Sequence, residues 1–117
     1  IRYLSMEVKL QELEKDHVDG ITFSGGDPLH PGNREFVLGT AIIIKTFFKK
    51  TIWLYTGYEW EDIKDLFGIQ YIDVVVDGKY DESLRDITHE WAGSTNQRVI
   101  DVKKSLEAGC AIKYTGR

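Results

Sequence analysis

Apolar positions fall along this chain in alternating helix-like and strand-like runs. Ser5 is a fitting N-cap for a helix over 6–15, with Met6, Val8, Leu10 and Leu13 on its apolar side and Glu7, Lys9, Glu12 and Lys15 on its wet one. Asp19 and Gly20 close it, and Ile21, Thr22 and Phe23 follow as a short strand. Asn33 caps a long second helix to about residue 48, whose Phe36, Val37, Leu38, Ala41, Ile42, Ile44, Phe47 and Phe48 nearly encircle it, so it is expected to be well buried. Further strands are predicted over 52–55 and 71–76 with a helix over 59–67 between them, and the unbroken Val74, Val75 and Val76 read as a strand covered on both faces. A polar loop over 91–98 leads to a strand over 99–102, a helical or turn segment over 103–108 and a closing strand over 110–114.

Alternation of this kind predicts an α/β fold of parallel strands joined by right-handed helical crossovers, with ligands gathered where the C-terminal strand ends open into loops. Three such ends carry the informative residues: Ser24-Gly25-Gly26-Asp27, Thr56-Gly57-Tyr58 and Asp77-Gly78-Lys79-Tyr80. Paired glycines let backbone approach a ligand closely, Asp27 adds a carboxylate, and Pro28 stiffens the exit, which suits an ammonium group better than a phosphate.

Length and charge narrow the class. The chain of 117 residues fits one domain over 1–117. Its 15 basic and 19 acidic side chains give a net charge of −4, with the basic residues scattered, which argues against a nucleic-acid partner. The longest apolar stretch, 36–44, is interrupted by Gly39 and Thr40 and falls short of the roughly 18 residues of a membrane span. A single cysteine, Cys110, excludes an internal disulfide framework, so a cytoplasmic setting is expected. Ile1 in place of methionine leads us to expect an N-terminally incomplete chain.

The four ordered segments 24–31, 52–58, 76–80 and 93–98 (Ser-Gly-Gly-Asp-Pro-Leu-His-Pro, Ile-Trp-Leu-Tyr-Thr-Gly-Tyr, Val-Asp-Gly-Lys-Tyr and Gly-Ser-Thr-Asn-Gln-Arg) resemble the activating proteins of anaerobic ribonucleoside-triphosphate reductase, which are radical S-adenosylmethionine enzymes. The resemblance implies a partial (βα) barrel of parallel strands, here without its N-terminal strand. It implies S-adenosylmethionine and a [4Fe-4S] cluster as cofactors, with an electron passed to the sulfonium and a 5′-deoxyadenosyl radical taking hydrogen from a partner glycine. The partner would be the catalytic subunit of the anaerobic reductase, with a small electron donor such as flavodoxin. By the same likeness Gly25, Gly26 and Asp27 hold the methionine ammonium, Thr56 and Gly57 border the cofactor's polar end or ribose, and Asp77 and Lys79 stand near it, Lys79 pairing with the methionine carboxylate.

Two departures bear on this. The family binds its cluster through a Cys-x3-Cys-x2-Cys loop that is not in this sequence, so residues 1–117 alone are expected neither to hold the cluster nor to cleave the cofactor. Ala92 also stands where the family usually has arginine between Trp91 and Gly93. An activase of another glycyl-radical enzyme, such as pyruvate formate-lyase, and a non-catalytic binding module that has kept the scaffold remain the alternatives.

Plainer readings accompany several residues. The Gly25-Gly26-Asp27-Pro28, Thr56-Gly57 and Asp77-Gly78 segments all fit ordinary turns as well as ligand loops. His17 and His89 read as surface residues, and His30 has no companions that would make a metal site. Trp53, Tyr55, Tyr58 and Trp60 read as core and rim packing, the charged stretch 59–65 as a solvated helix face, and Cys110 as a small buried hydrophobe in a strand.

Overall fold

A computed structural model of the chain describes residues 20–23, 27–86 and 92–115. The predicted helix over 6–15, Gly25, Gly26, His17, His89 and Trp91 lie outside the described residues. Strand β1 (Gly20–Phe23) leads through the Asp27 turn into helix α1 (Arg34–Ile43), and β2 (Thr51–Tyr55) into the short helix α2 (Trp60–Ile63). Then come β3 (Val74–Asp77), β4 (Arg98–Asp101) and α3 (Val102–Ala108).

The strands form one four-stranded sheet in the order β1-β2-β3-β4. β1 and β2 are parallel, with Ile21 opposite Ile52 and Phe23 opposite Leu54, and β2 and β3 are parallel, with Leu54 opposite Val75. β4 departs from the expected all-parallel arrangement, since it pairs antiparallel to β3 with Val75 opposite Ile100 and Asp77 opposite Arg98. The reason is the connection. A parallel return needs a crossover of a dozen or more residues, usually an α-helix, and the described part of the β3–β4 link holds only a 3₁₀ turn, Glu82–Leu84.

Alternating side chains divide the core between the two sheet faces. Phe23, Ile52, Leu54, Val75 and Ile100 pack with Leu29, Val37, Ala41, Trp60 and Ile63 on one side. Val74, Val76 and Val99 pack with Trp53, Tyr55 and Tyr114 on the other, so the valine run is covered on both faces as predicted. Trp53 meets Tyr114 edge-on at 5.3 Å between ring centroids.

Helical regions differ more from expectation. Asn33 precedes α1 but does not cap it; its side-chain amide instead donates to the carbonyl of Asp27 at 3.1 Å. After Ile43 the helix widens into a π turn, Ile44–Phe48, closed by Lys49 at φ 55, whose amide reaches back to the Ile44 carbonyl at 2.8 Å. Burial falls on Val37, Leu38, Thr40, Ala41 and Ile44, whereas Phe36 is 51% and Phe47 75% exposed, so the second helix is covered on one face and not all round. The helix predicted over 59–67 is one turn long, ending at Ile63, and Gly68, whose φ of 95 suits glycine, leads into the next turn. Residues 69–71 form a 3₁₀ turn, and the third strand therefore starts at Val74.

At the C-terminal end Asp101 caps α3 by accepting from the Lys104 amide at 3.0 Å, and Gly109 at φ 78 ends it. The closing strand over 110–114 reduces to a single bridge, Lys113 with Ile100, flanked by Asp101 N to Ile112 O and Tyr114 N to Val99 O, both 2.8 Å. Cys110 is exposed just past Gly109, which corrects its expected burial in a strand. No described helix is long and apolar enough to cross a membrane.

Candidate functional site

The exits of β1, β2 and β3 lie side by side because their strands do. Asp27, beyond β1, turns its carboxylate toward the end of β2. Its Oδ1 accepts from the Leu29 amide at 2.9 Å and the Thr56 hydroxyl at 2.8 Å, and its Oδ2 accepts from the Gly57 amide at 2.9 Å. A carboxylate offers about four acceptor positions, so among the described residues this clasp leaves roughly one open, on Oδ2. The Asp27 carbonyl accepts from the His30 amide and the Asn33 side chain, both at 3.1 Å, which fixes the turn from its other side. His30 is exposed and its Nδ1 accepts from the Gly32 amide at 3.1 Å.

Thr56 is buried and knits the three exits together. Its amide donates to the Val76 carbonyl at 3.0 Å, and its hydroxyl oxygen accepts from the Tyr58 amide at 3.2 Å while donating to Asp27. Gly57 is exposed, and a Cβ there would lie 3.4 Å from Asp27 Oδ2 and 3.8 Å from Lys79 Cα, close to the loop beyond β3.

Asp77, at the end of β3, is 1% exposed and fully partnered. Its Oδ2 accepts from the Trp60 amide at 2.8 Å, which holds the start of α2. Its Oδ1 accepts from the Arg98 amide at 3.2 Å and from Arg98 Nε at 3.1 Å, and Arg98 Nη2 closes a second ion-pair contact to Oδ2. The outer edge of the same guanidinium pairs with Glu61, Nη1 to Oε2 at 3.1 Å and Nη2 to Oε1 at 2.7 Å. The hydrogen bond from Arg98 holds the Glu61 carboxyl below its ordinary range, and Glu61 first and Asp77 second push Arg98 higher still. A buried carboxylate needs such a cation, since an ion left alone away from water is costly.

Between these groups lies a hollow of about 410 Å³, walled by Gly57, Glu59 and Glu61 from the β2 side, Asp77, Gly78 and Lys79 from β3, and Asn96 and Arg98 from the loop before β4. Three of the expected site residues therefore line it, Gly57, Asp77 and Lys79, and Asp27 adjoins it through its bond to Gly57. Thr56 stands with Asp27 outside the lining. Lys79 is exposed and, among the described residues, its ammonium has no ion-pair partner, in contrast with Arg98. Sequence reasoning missed Glu61 and Arg98 as a unit and assigned no task to Asn96 and Gln97. One signal was available: an acid ending a fully apolar strand requires a cation, and Arg98 opens the apolar run Val99-Ile100 that follows it in sequence.

Among the described residues no group of three His, Cys, Asp or Glu side chains could hold a metal ion. No solved structure matches the chain. Residues 4–100 match the family of 4Fe-4S single cluster domains. The chain is 47% identical over 88 residues to the anaerobic ribonucleoside-triphosphate reductase-activating protein of Enterobacteria phage T4, covering 74% of this chain and 56% of that protein. It is 44% identical over 81 residues to the protein of the same name from Vibrio cholerae, covering 67% and 52%, and 40% identical over 83 residues to that of Escherichia coli (strain K12), covering 68% and 54%. The chain thus spans about half the length of the curated relatives it matches. On sequence likeness extending from residue 4 to residue 100, the chain belongs to the 4Fe-4S single cluster domain family.

Proposed function

We propose that this chain supplies the strand ends that hold S-adenosylmethionine in a radical activase, one that generates the glycyl radical of anaerobic (class III) ribonucleoside-triphosphate reductase by reductive cleavage of that cofactor. The likeness to three proteins bearing the activating name supports the choice of reaction. The single observation that supports the binding role is the polar hollow between the β2 and β3 exits, with Asp27 bonded to its Gly57 wall and Lys79 carrying an ammonium without an ion-pair partner among the described residues.

A zwitterionic amino-acid moiety fits this charge pattern. Lys79 offers a cation to a carboxylate, while the open acceptor position of Asp27, with Gly25 and Gly26 beside it in sequence, offers negative charge to an ammonium. Gly57 leaves the opening clear of side-chain bulk, and Thr56 holds Asp27 in place. Asp77 acts indirectly, as the buried anchor that fixes Arg98 and the start of α2. The four-stranded sheet would then be part of a partial barrel, the setting would be cytoplasmic, and a small protein such as flavodoxin would be the electron donor.

The cluster does not fit these residues. A [4Fe-4S] cluster takes cysteine thiolates, and the one cysteine here, Cys110, is exposed beyond α3 and stands alone. Its ligands would have to come from outside these 117 residues, so the chain's own contribution is binding and orientation. The same fact favours a second reading, a binding module that uses the hollow without radical chemistry.

Anaerobic reconstitution of the full-length protein with iron and sulfide, followed by an assay for 5′-deoxyadenosine, separates the two. The activase reading expects product with the wild type and at least about a tenfold loss in Asp27→Ala, comparable to removing one charge-assisted contact. No product from a reconstituted wild type overturns it.

A further inference from the structure

The loop over 93–97 enters the reading above only through Asn96 in the wall of the hollow, yet it grips the peptide units on both sides of Lys79. The Gln97 side-chain amide donates to the Gly78 carbonyl at 3.0 Å, and the Asn96 amide donates to the Lys79 carbonyl at 2.9 Å. Each donor is itself held. Gln97 Oε1 accepts from the Gly93 amide at 2.8 Å and the Ser94 amide at 3.1 Å. Asn96 Oδ1 accepts from the Ser94 hydroxyl at 2.6 Å, and the oxygen of that hydroxyl accepts from the Asp81 amide at 3.2 Å. Ser94 is fully buried, and Gly93 lies so close to the Tyr80 ring that a Cβ would approach it to 2.9 Å, so the two loops are packed as well as bonded.

We infer that Asn96 and Gln97 are positioning residues that set the height and direction of the Lys79 ammonium over the hollow, and so determine affinity for the carboxylate-bearing ligand. The argument is geometric. Lys79 sits on an exposed strand exit next to Gly78 at φ 93, a position with the widest backbone freedom. The Gly78 amide donates to the Tyr58 carbonyl at 3.0 Å, but the two carbonyls flanking Lys79 are held by these side-chain amides, and a long flexible side chain on a loose loop binds weakly because its ordering is paid at the moment of binding. Two amides reaching from one neighbouring loop to two successive carbonyls remove that freedom beforehand. Gln97 stands outside the lining of the hollow and Asn96 forms part of its wall, and both are assigned to act through Lys79.

This inference rests on the cofactor reading, and its test distinguishes the two. Gln97→Glu keeps the acceptor for the Gly93 and Ser94 amides but loses the donor to Gly78, while Asn96→Ala cuts the grip on Lys79 without introducing a charge. S-adenosylmethionine is titrated calorimetrically into the full-length wild type, each variant, Lys79→Ala, and each variant combined with Lys79→Ala, with amide hydrogen exchange followed at Gly78. Each single variant is expected to weaken binding about fivefold, to speed exchange at Gly78, and to cause no further loss once Lys79 is already alanine. Losses that add fully to that of Lys79→Ala, or single variants that bind like the wild type, overturn the positioning role and leave the cofactor reading standing. A wild type that does not bind S-adenosylmethionine overturns both.

Discussion

Asp27, beyond the end of β1, and Asp77, at the end of β3, lie on either side of β2 and both look, as sequence, like carboxylates offered to a ligand. Their surroundings differ in what is left over. Asp77 is buried, with both oxygens taken by Arg98 and the start of α2, so its charge is spent within the protein. Asp27 is half-buried, holds two backbone amides and a hydroxyl, and among the described residues meets no cation and keeps an acceptor position beside Gly57. The same residue type after the same kind of strand thus builds structure at one exit and leaves chemistry available at the other. Which outcome follows is decided by whether a cation is brought against it, and antiparallel β4 brings one by placing Arg98 directly opposite Asp77.

The comparison can be broken most easily at Asp77. Asp77→Ala leaves the Trp60 amide without its acceptor and strips the inner partner from Arg98, and a loss of about 3 kcal/mol in unfolding free energy is expected by denaturant titration. A loss near zero would show that the pair contributes only solvated charge. Asp27→Asn replaces the acceptor facing the Gly57 amide with a donor, and about 1–2 kcal/mol is expected, together with weaker ligand binding. An effect on stability equal to that of Asp77→Ala would erase the distinction between the two exits.

Smaller changes sharpen it. The Glu61–Arg98 pair is exposed on the Glu61 side, so Glu61→Gln is expected to cost less than about 1 kcal/mol at neutral pH. Because Arg98 lowers the Glu61 pKa in the folded protein, this stabilisation is present above the ordinary carboxylate range and is lost as pH falls through the lowered value. Glu61→Gln should therefore match the wild type in strong acid and fall below it as pH rises, a trend that thermal melts across acid pH would detect. Gly57→Ala meets only ordinary contacts and is expected to shift stability by no more than about 0.5 kcal/mol, yet to reduce ligand affinity by narrowing the opening.

Much of the sheet was legible from local pattern. Ile21 and Phe23, Ile52 and Leu54, and Val74 to Val76 each carried a strand period that the core then used, and the aromatic group of Trp53, Tyr55, Tyr58 and Trp60 proved to be packing, with Trp60 buried and Arg34 stacked on Tyr58 at 5.7 Å. Helix burial was less legible. Phe36 and Phe47 are as apolar as Val37 and Ile44, and only the position of the sheet decides which of them it covers. Cys110 illustrates a different limit: Gly109 stops α3 and leaves Cys110 exposed, so the apolar-looking tail meets β4 only over Ile112 to Tyr114 among the described residues. At the site, proximity of the three exits followed from strand order, but the satisfaction of each carboxylate depended on long-range partners such as Arg98 and Gly57 that no local pattern assigns.

The account stands most directly on the Lys79 ammonium at the hollow, which has no ion-pair partner among the described residues. Calorimetric titration of S-adenosylmethionine into the full-length protein is predicted to show one saturable site in the wild type and binding at least about tenfold weaker in Lys79→Ala, with the two melting at the same temperature because Lys79 is exposed. Equal affinity in the two proteins would contradict it.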